Sequence, residues 1–196
     1  VSSFKVNKII KSVAKKALIF IREDQMDVFD FQSLCEEIQF VIIDSNLNQI
    51  DYSETIKINS ENEDHFKNLG SYFKTKQITF DMIIHCCSID NISQSDDKLS
   101  NSLYSLFLIR QYLLNSNGFK KLVVLTNGLT QITSEDSINP FNGTLVGAIR
   151  NINHEFINLD ARTIDIGYNY SNIESSISQV VSNEAYKKSD ELLAIR

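Results

Sequence analysis

The chain has 196 residues, of which 42% are hydrophobic and 22% are charged, a composition that suits one domain with a buried core. Lysine and arginine number 19 against 25 aspartate and glutamate residues, which gives a formal net charge of −6. Because a nucleic-acid-binding surface needs excess positive charge to displace the counterions of phosphate, this balance disfavours a nucleic-acid partner.

Glycine and proline are scarce, with 6 glycines and 1 proline in the whole chain. Average proteins contain roughly 7% glycine and 5% proline. A phosphate-binding loop usually needs several glycines, because only a residue without a Cβ lets backbone amides approach a phosphate closely. The composition therefore disfavours a nucleotide site built on such a loop.

Residues 1–15 contain several lysines and no apolar run with a cleavage site, so we treat them as a leading segment or linker and residues 16–196 as one domain. No segment approaches the about 18 apolar residues that span a membrane. The three cysteines, Cys35, Cys86 and Cys87, lack the spacing of a zinc site. We expect a cytoplasmic protein with no metal site and no membrane partner.

Short runs of β-branched residues alternate with longer segments of helical periodicity. The predicted elements, in chain order, are a strand at 16–21, a helix at 27–38, strands at 40–44 and 54–59, a helix at 60–74 capped by Ser60, a strand at 80–86, a helix at 98–114, a strand at 121–126, a helix at 140–156, a strand at 162–166, a helix at 173–184 and a strand at 191–195. Strands separated by helical segments need crossover connections, which favour a parallel sheet. We therefore predict an α/β fold: a three-layer Rossmann-like parallel sheet with helices on both faces.

The turn after the first predicted strand, residues 22–27, has the sequence Arg-Glu-Asp-Gln-Met-Asp. A dinucleotide site needs glycines in this turn, so that the pyrophosphate can rest on the N-terminus of the next helix. This turn has no glycine, and its three carboxylates would repel a polyanion. The chain also lacks the Gly-Lys-Ser/Thr triplet of a P-loop and the Gly-x-Ser-x-Gly nucleophile motif. We expect no cofactor-binding residues in this chain.

Two weaker patterns suggest catalysis. His85 and Cys87 lie two positions apart in a predicted strand and so share a face, which leaves a Cys–His nucleophile open, although a buried histidine with a satisfied hydrogen bond is the preferred interpretation. Tyr72 and Lys76 have the Tyr-x-x-x-Lys spacing by which short-chain reductases place both residues on one helical turn. That pair precedes the fourth strand and has no glycine loop nearby, so we interpret it as a solvent-facing helix end.

The helix predicted at 140–156 contains the only proline and two of the glycines. Pro140 suits a helix start, because its missing N–H would be unpaired there. Gly143 and Gly147 share one face of the helix, and each costs a helix about 1 kcal/mol relative to alanine. We interpret the two glycines as a sign that another element packs closely there, and we favour helix-on-sheet packing over ligand binding. The apolar stripe of this helix comprises Phe141, Leu145, Ile149, Ile152 and Phe156.

One series of residues spans this helix and the strand that follows it, and it comprises Pro140, Gly143, Gly147, Arg150, Glu155 and Asp165. The series resembles the structural subdomain of polyketide synthase ketoreductases, which are short-chain-dehydrogenase-like. In that family a proline, a small residue, a glycine, a basic residue, a glutamate and a strand aspartate recur at this spacing. Shorter stretches are also similar to that family, so the resemblance covers nearly the whole chain. They lie at 17–20, 83–88, 102–107, 122–126 and 191–196.

The resemblance implies a truncated, pseudo-Rossmann domain with a structural role. Such a ketoreductase has two similar halves. The second half binds NADPH and carries the Ser, Tyr and Lys that reduce a β-ketoacyl group on an acyl carrier protein, whereas the first half binds no cofactor and stabilises its partner. By this resemblance the chain is the first half, with no catalytic, cofactor-binding or metal residues of its own, and it is not an enzyme by itself. Its expected partner is the catalytic ketoreductase subdomain or a neighbouring synthase domain in the same polypeptide, and acyl carrier protein is a partner only indirectly.

Two other interpretations stay open at the level of sequence. In one, the structural half serves a different synthase activity, such as a neighbouring methyltransferase or dehydratase. In the other, the chain is a stand-alone Rossmann-like enzyme that uses His85 or the pair Tyr72 and Lys76.

Overall fold

The computed structural model describes residues 16–26, 31, 35–89, 96–115, 118–132, 134, 136–167 and 192–195. The strands within these residues are β1 Lys16–Arg22, β2 Glu37–Ile43, β3 Ile56–Ile58, β4 Met82–Ser88, β5 Lys121–Asn127, β6 Asp160–Ile166 and β7 Leu192–Ile195. They form one sheet in the order β3-β2-β1-β4-β5-β6-β7, and each neighbouring pair is parallel.

The helices of the described residues are α1 Glu63–Thr75, α2 Asp96–Ile109 and α3 Gly143–Glu155. A π-helical segment, Arg110–Leu114, continues α2. Short 3-10 turns cover Glu23–Gln25 and Pro140–Asn142.

The strand order reverses between β1 and β4. From β1 the chain moves outward through β2 to β3, then crosses back to β4 and continues in the other direction through β5, β6 and β7. Right-handed crossovers place α1, α2 and α3 on the same face of the sheet. This is a Rossmann-like α/β fold with a parallel sheet, and it confirms the predicted fold class.

Apolar side chains cover both faces of the sheet, because strand residues point alternately to one side and the other. On one face the three helices bury Phe66, Leu106 and Ile149 against the strands. On the opposite face Phe31 and Cys35 join a second buried cluster of strand side chains. The sheet is therefore a middle layer with a buried core on each side.

Of the helix predicted at 27–38 the structure describes only residues 31 and 35–38, and the helix predicted at 173–184 lies outside the described residues. The end predicted for the first of these helices is wrong, because Glu37 and Ile38 already belong to β2, where they pair with Lys16 and Ala17 of β1. Hydrogen bonding to a neighbouring strand decides this boundary, and helical spacing of apolar residues does not report such a contact.

The prediction that Ser60 caps α1 is also wrong. Asn62 is the N-cap, and its side-chain oxygen accepts a hydrogen bond from the Asp64 N–H at 3.0 Å. Ser60 is buried before the helix begins. Asparagine and serine are both favoured N-caps, so local chemistry alone did not separate the two positions.

The close approach of two helical segments occurs at Gly70 on α1. A Cβ added to Gly70 would lie 2.7 Å from the carbonyl oxygen of Tyr112, in the π-helical segment that continues α2. That distance is well inside van der Waals contact, and the atom in the way belongs to the backbone and cannot rotate aside. Glycine at position 70 is therefore required by the packing of α1 against this segment.

We predict that Gly70→Ala lowers the free energy of unfolding by about 1–3 kcal/mol, because an overpacked contact forces the backbone to shift. Urea denaturation of the two proteins measures the difference. Lys67→Ala, at an exposed position of the same helix, is the matched control and should stay within about 0.5 kcal/mol of the wild type. A Gly70→Ala protein that is more stable than wild type would show that helix propensity outweighs the contact, contrary to this prediction.

Candidate functional site

In an open parallel sheet, ligands bind at the carboxyl ends of the strands where the strand order reverses. Here that place lies between the ends of β1 and β4, at Arg22 and Ser88. The sequence predicted a glycine-free turn at this position. The structure shows which side chains lie there instead.

Arg22 and Gln25 reach across from the end of β1 to the end of β4. The Arg22 guanidinium donates to the carbonyl oxygens of Cys87 and Ile89, at 2.9 and 3.1 Å. The Gln25 amide donates to the carbonyl oxygens of Cys86 and Ile89, at 3.3 and 2.6 Å. We call these two side chains the latch, because they tie the turn after β1 to the chain that leaves β4.

The 3-10 turn at Glu23–Gln25 sets the position of the latch. Gln25 folds back so that its side-chain oxygen accepts a hydrogen bond from the Arg22 N–H at 3.0 Å, and its side chain is buried. Asp24 forms an ion pair with the Arg22 guanidinium at 3.1 Å, which holds that group in place. The side chains of the turn therefore bond to the protein itself, at the point where a pyrophosphate would need free backbone amides.

The charges of the turn also disfavour the binding of a pyrophosphate. Glu23 and Asp24 bring two carboxylates to the crevice, and each already has a cationic partner, Lys57 for Glu23 and Arg22 for Asp24. A pyrophosphate approaching the turn would compete with these carboxylates for both cations. In the described residues the crevice thus has neither the backbone geometry nor the charge of a dinucleotide site.

His85 lies under this end of β4 and is fully buried. Its Nε2 is 2.8 Å from the Ser105 hydroxyl, which itself donates to the Ser102 carbonyl at 3.1 Å. Ser105 therefore accepts from an Nε2–H, and Nδ1 is an acceptor with no hydrogen-bond partner among the described residues. Burial in apolar surroundings lowers the pKa of His85 to about 4, so the ring is neutral at pH 7.

The Cys–His alternative finds little chemical support in this arrangement. Cys87 is buried on the same strand, and the Nε2 of His85 already bonds to Ser105. The neighbouring Cys86 is fully buried, and this burial raises the pKa of its thiol well above the ordinary value, so it stays protonated. A nucleophilic cysteine needs a lowered pKa and access for a substrate.

Tyr72 and Lys76 lie at the opposite end of the strands from the crevice. Because α1 runs antiparallel to the strands, its C-terminal end lies at their amino ends, about 20 Å from the switch-point crevice for strands of this length. Lys76 is the C-cap residue of α1, and the Tyr72 ring packs on Tyr52 with centroids 4.5 Å apart. Both residues line a shallow surface cleft beside the loop before β3.

Two residues of the family-like series, Asp165 and Pro140, lie at the loop after β5 and the start of α3. Asp165 on β6 is buried, and its carboxylate accepts hydrogen bonds from the Thr126 hydroxyl and from the N–H groups of Leu129 and Thr130, at 2.9–3.0 Å. Pro140 opens the 3-10 turn before α3, where its missing N–H removes no hydrogen bond.

Two residues that the sequence reasoning missed complete this support. The buried Asn142 amide donates to the Asn127 carbonyl at 2.7 Å, which ties the start of α3 to the end of β5. Arg110 forms a two-pronged ion pair with Glu155, with both distances 2.6 Å, and joins the C-terminal ends of α2 and α3. No sequence signal identifies Arg110, because its partner is 45 residues away.

The structure does not show the close packing that was predicted for Gly143 and Gly147. Both are exposed, and a Cβ added to either meets nothing within 4 Å in the described part of the chain. The helix-on-sheet packing favoured for the two glycines is therefore wrong, and no described element packs closely against them. The physical reason is the direction of the face: Leu145, Ala148 and Ile149 point to the sheet, and the glycines point outward with Arg150.

In the part of the chain that the structure describes, no group of three His, Cys, Asp or Glu side chains is arranged to hold a metal ion. None of the helices in this part of the chain is long and apolar enough to cross a membrane.

The fold is shared with solved reductases. An N-terminal ketoreductase from the macrolactin assembly line superposes with a TM-score of 0.74 at 17% identity, over 98% of this chain and 40% of that one. A structure with adenylation, ketoreductase and pseudo Asub domains, from a keto acid-selecting NRPS module, gives 0.73 at 14% identity, over 93% of this chain and 16% of that one. A short-chain dehydrogenase from Leptospira borgpetersenii with bound NAD⁺ gives 0.57 at 13% identity, over 100% and 97%.

These similarities show that the chain has the Rossmann-like fold found in a ketoreductase and a short-chain dehydrogenase. The chain belongs to the family described as β-ketoacyl synthase-like, N-terminal, whose family model matches residues 16–184. No curated protein matches the chain in sequence. The chain spans less than half the length of the two assembly-line proteins, so it corresponds to one part of each.

We predict that His85 makes the fold sensitive to acid. The folded state lowers the pKa of this residue from 6.5 to about 4, so the unfolded chain binds the proton more readily. The resulting stability is present above pH 6.5 and is lost as the pH falls toward 4, by about 3 kcal/mol at 1.36 kcal/mol per pKa unit.

Unfolding free energies measured by urea denaturation between pH 7.5 and 4 check this prediction. His85→Gln, which can still donate to Ser105, should lose less stability across that range than the wild type. His154→Gln removes an exposed imidazole and is the matched control. Equal pH dependence in the wild type and His85→Gln would contradict the role given to His85.

Proposed function

We propose that the chain is the non-catalytic structural half of a polyketide-synthase-type ketoreductase. In this proposal it stabilises a separate half that binds NADPH and reduces β-ketoacyl groups on an acyl carrier protein. The observation that carries the proposal is the latch. Arg22 and Gln25 bond to the carbonyls of Cys86, Cys87 and Ile89 in the crevice where a dinucleotide would bind.

The size of the chain relative to its structural neighbours supports the same proposal. A short-chain dehydrogenase with bound NAD⁺ has nearly the same extent as this chain, which covers 97% of it. The macrolactin ketoreductase is much longer, and this chain covers 40% of it. A polypeptide of that length has room for this domain and a second one that performs the reduction.

The catalytic patterns of the chain favour a structural role as well. His85 is buried and neutral, Cys86 is buried and protonated, and Tyr72 with Lys76 lies at the sheet edge away from the crevice. The buried carboxylate of Asp165 is surrounded by donors that hold a loop. These groups maintain the fold, and none of them has the exposure and the proton-transfer partner that an acid, base or nucleophile needs.

We predict that the isolated chain does not bind NADPH in the micromolar range. Isothermal titration of NADPH into the folded protein measures this, with the Leptospira short-chain dehydrogenase titrated with NAD⁺ as a positive control. Folding of the sample is verified first by a cooperative thermal transition. Micromolar affinity of this chain for NADPH would contradict the proposal directly.

We also predict that the chain stabilises a reductase half. When the tagged chain is co-expressed with the reductase half of its own synthase, the two should purify together. The complex should melt at a higher temperature than the chain alone, because a partner that binds only the folded state shifts the equilibrium toward it. A soluble, NADPH-binding reductase half that neither co-purifies nor gains stability would argue against this role.

A further inference from the structure

A surface cleft runs along α1, beside the loop that connects β2 to β3. Its volume is about 750 Å³, and it is lined by residues 48–50 and Tyr52 of the loop and by side chains of α1 from Asp64 to Lys76. Asp64 lies in the first turn of the helix and Lys76 is its C-cap. At 1.5 Å per residue, the cleft is therefore about 18 Å long.

Hydrogen bonds hold the loop side of the cleft in place. The Asn59 side-chain amide donates to the carbonyl oxygens of Ser45 and Leu47, at 2.8 and 3.2 Å. Asp51 and Lys57 exchange two backbone hydrogen bonds, at 3.1 and 2.9 Å. The cleft is thus formed before any ligand arrives, and binding there does not carry the cost of ordering a loop.

His65 presents a fixed hydrogen-bond donor to this cleft. Only 4% of the residue is exposed, and its Nδ1 accepts the Asn59 N–H at 3.0 Å. The proton of the neutral ring therefore lies on Nε2. That N–H has no acceptor among the described residues, and it is open to the cleft rather than enclosed in the core. A buried donor in this position fits a ligand that brings an acceptor.

Two tyrosines form an aromatic surface in the cleft. The rings of Tyr52 and Tyr72 pack with their centroids 4.5 Å apart and their planes at 30°, and Tyr52 is still 41% exposed. Tyr72 follows His65 by two helical turns, so both side chains lie on the same face of α1. The aromatic surface and the His65 donor are therefore separated by about 10 Å along the helix.

An extended peptide fits this cleft better than a compact ligand or a helix does. The cleft is shallow, whereas small-molecule sites bury most of their ligand. A helix needs an apolar groove, and the exposed residues Asn48, Gln49 and Asn68 of this cleft carry polar amides. A polyproline II segment suits the cleft, because its prolines pack in aromatic-lined grooves and its backbone carbonyls have no internal hydrogen bonds.

The charges at the two ends of the cleft set the length of the segment. Asp64 and Lys76 are both exposed, and about six residues of polyproline II cover the distance between them. We propose that the cleft binds a proline-rich segment of a partner protein in the polyproline II conformation, with a basic residue beside Asp64 and an acidic residue beside Lys76. The inference is independent of the proposed function, because it uses neither the crevice nor a reductase half.

The test uses the synthetic peptide acetyl-Arg-Pro-Pro-Pro-Pro-Pro-Glu-amide and its reverse sequence. Both are needed, because the charges fix which end lies where and leave the direction of the chain open. In an NMR titration of the labelled chain, one of the two should bind saturably and shift the ring resonances of His65, while those of the exposed His154 stay unchanged. A peptide with alternating glycine and serine between the same charges should bind at least about tenfold more weakly, because it lacks the rings and the preformed conformation.

Two substitutions locate the binding site. Tyr52→Ala should weaken binding by about tenfold or more, because aromatic anchors carry much of the energy of an interface. Tyr104→Ala is the matched control and should bind like the wild type, since Tyr104 is also 41% exposed but lies on α2, away from the cleft. Lys76→Glu should weaken binding of the original peptide and favour a version that ends in arginine at both ends. A thermal transition verifies that each variant is folded.

Each other outcome overturns the proposal. If neither orientation of the peptide binds saturably, or if Tyr104→Ala weakens binding as much as Tyr52→Ala, the site is wrong. Equal binding of the proline and glycine–serine peptides means that the cleft recognises charge alone, and the polyproline II assignment fails. If the His65 resonances shift with the concentration of the chain itself and Tyr52→Ala abolishes this shift, the occupant is a second copy of the chain.

Discussion

The hydrogen bonds from the turn after β1 to the end of β4 are the constraint on which the rest of the structure depends. Arg22 and Gln25 satisfy carbonyls at Cys86, Cys87 and Ile89, where the chain leaves the central strand of the sheet. In a nucleotide-binding relative of this fold type, the corresponding turn must leave its backbone amides open. Here side chains close the crevice, and the central strands are tied together by the same bonds.

A second group of bonds organises the other side of the switch point. Asp165 and Asn142 hold the loop after β5 between β6 and the start of α3. Buried polar groups destabilise a fold unless they are paired, and the Asp165 carboxylate has three donors. The residues that resemble a family motif thus act through one loop and one helix, which brings α3 to its place in the outer layer.

The layer of helices combines two kinds of glycine. Gly70 lets α1 approach the backbone at Tyr112 and has no room for a side chain, whereas Gly147 has open space above it. The first glycine is explained by contacts inside the chain. The second is exposed, and no described residue packs against it.

The sequence by itself determined the parallel α/β class, the order of the elements and the absence of a glycine turn after β1. These features are local, since periodicity, strand length and the chemistry of one turn can be read over a few neighbouring residues. The glycine count also drew attention to α3. The sequence favoured packing of Gly143 and Gly147 against the sheet, and this is wrong, because both glycines face away from it. Only the tertiary structure decided that Arg22 and Gln25 fill the crevice, that Gly70 is the closely packed glycine and that Gly147 faces outward. The first two depend on residues more than 40 positions apart meeting in space, which no local pattern encodes.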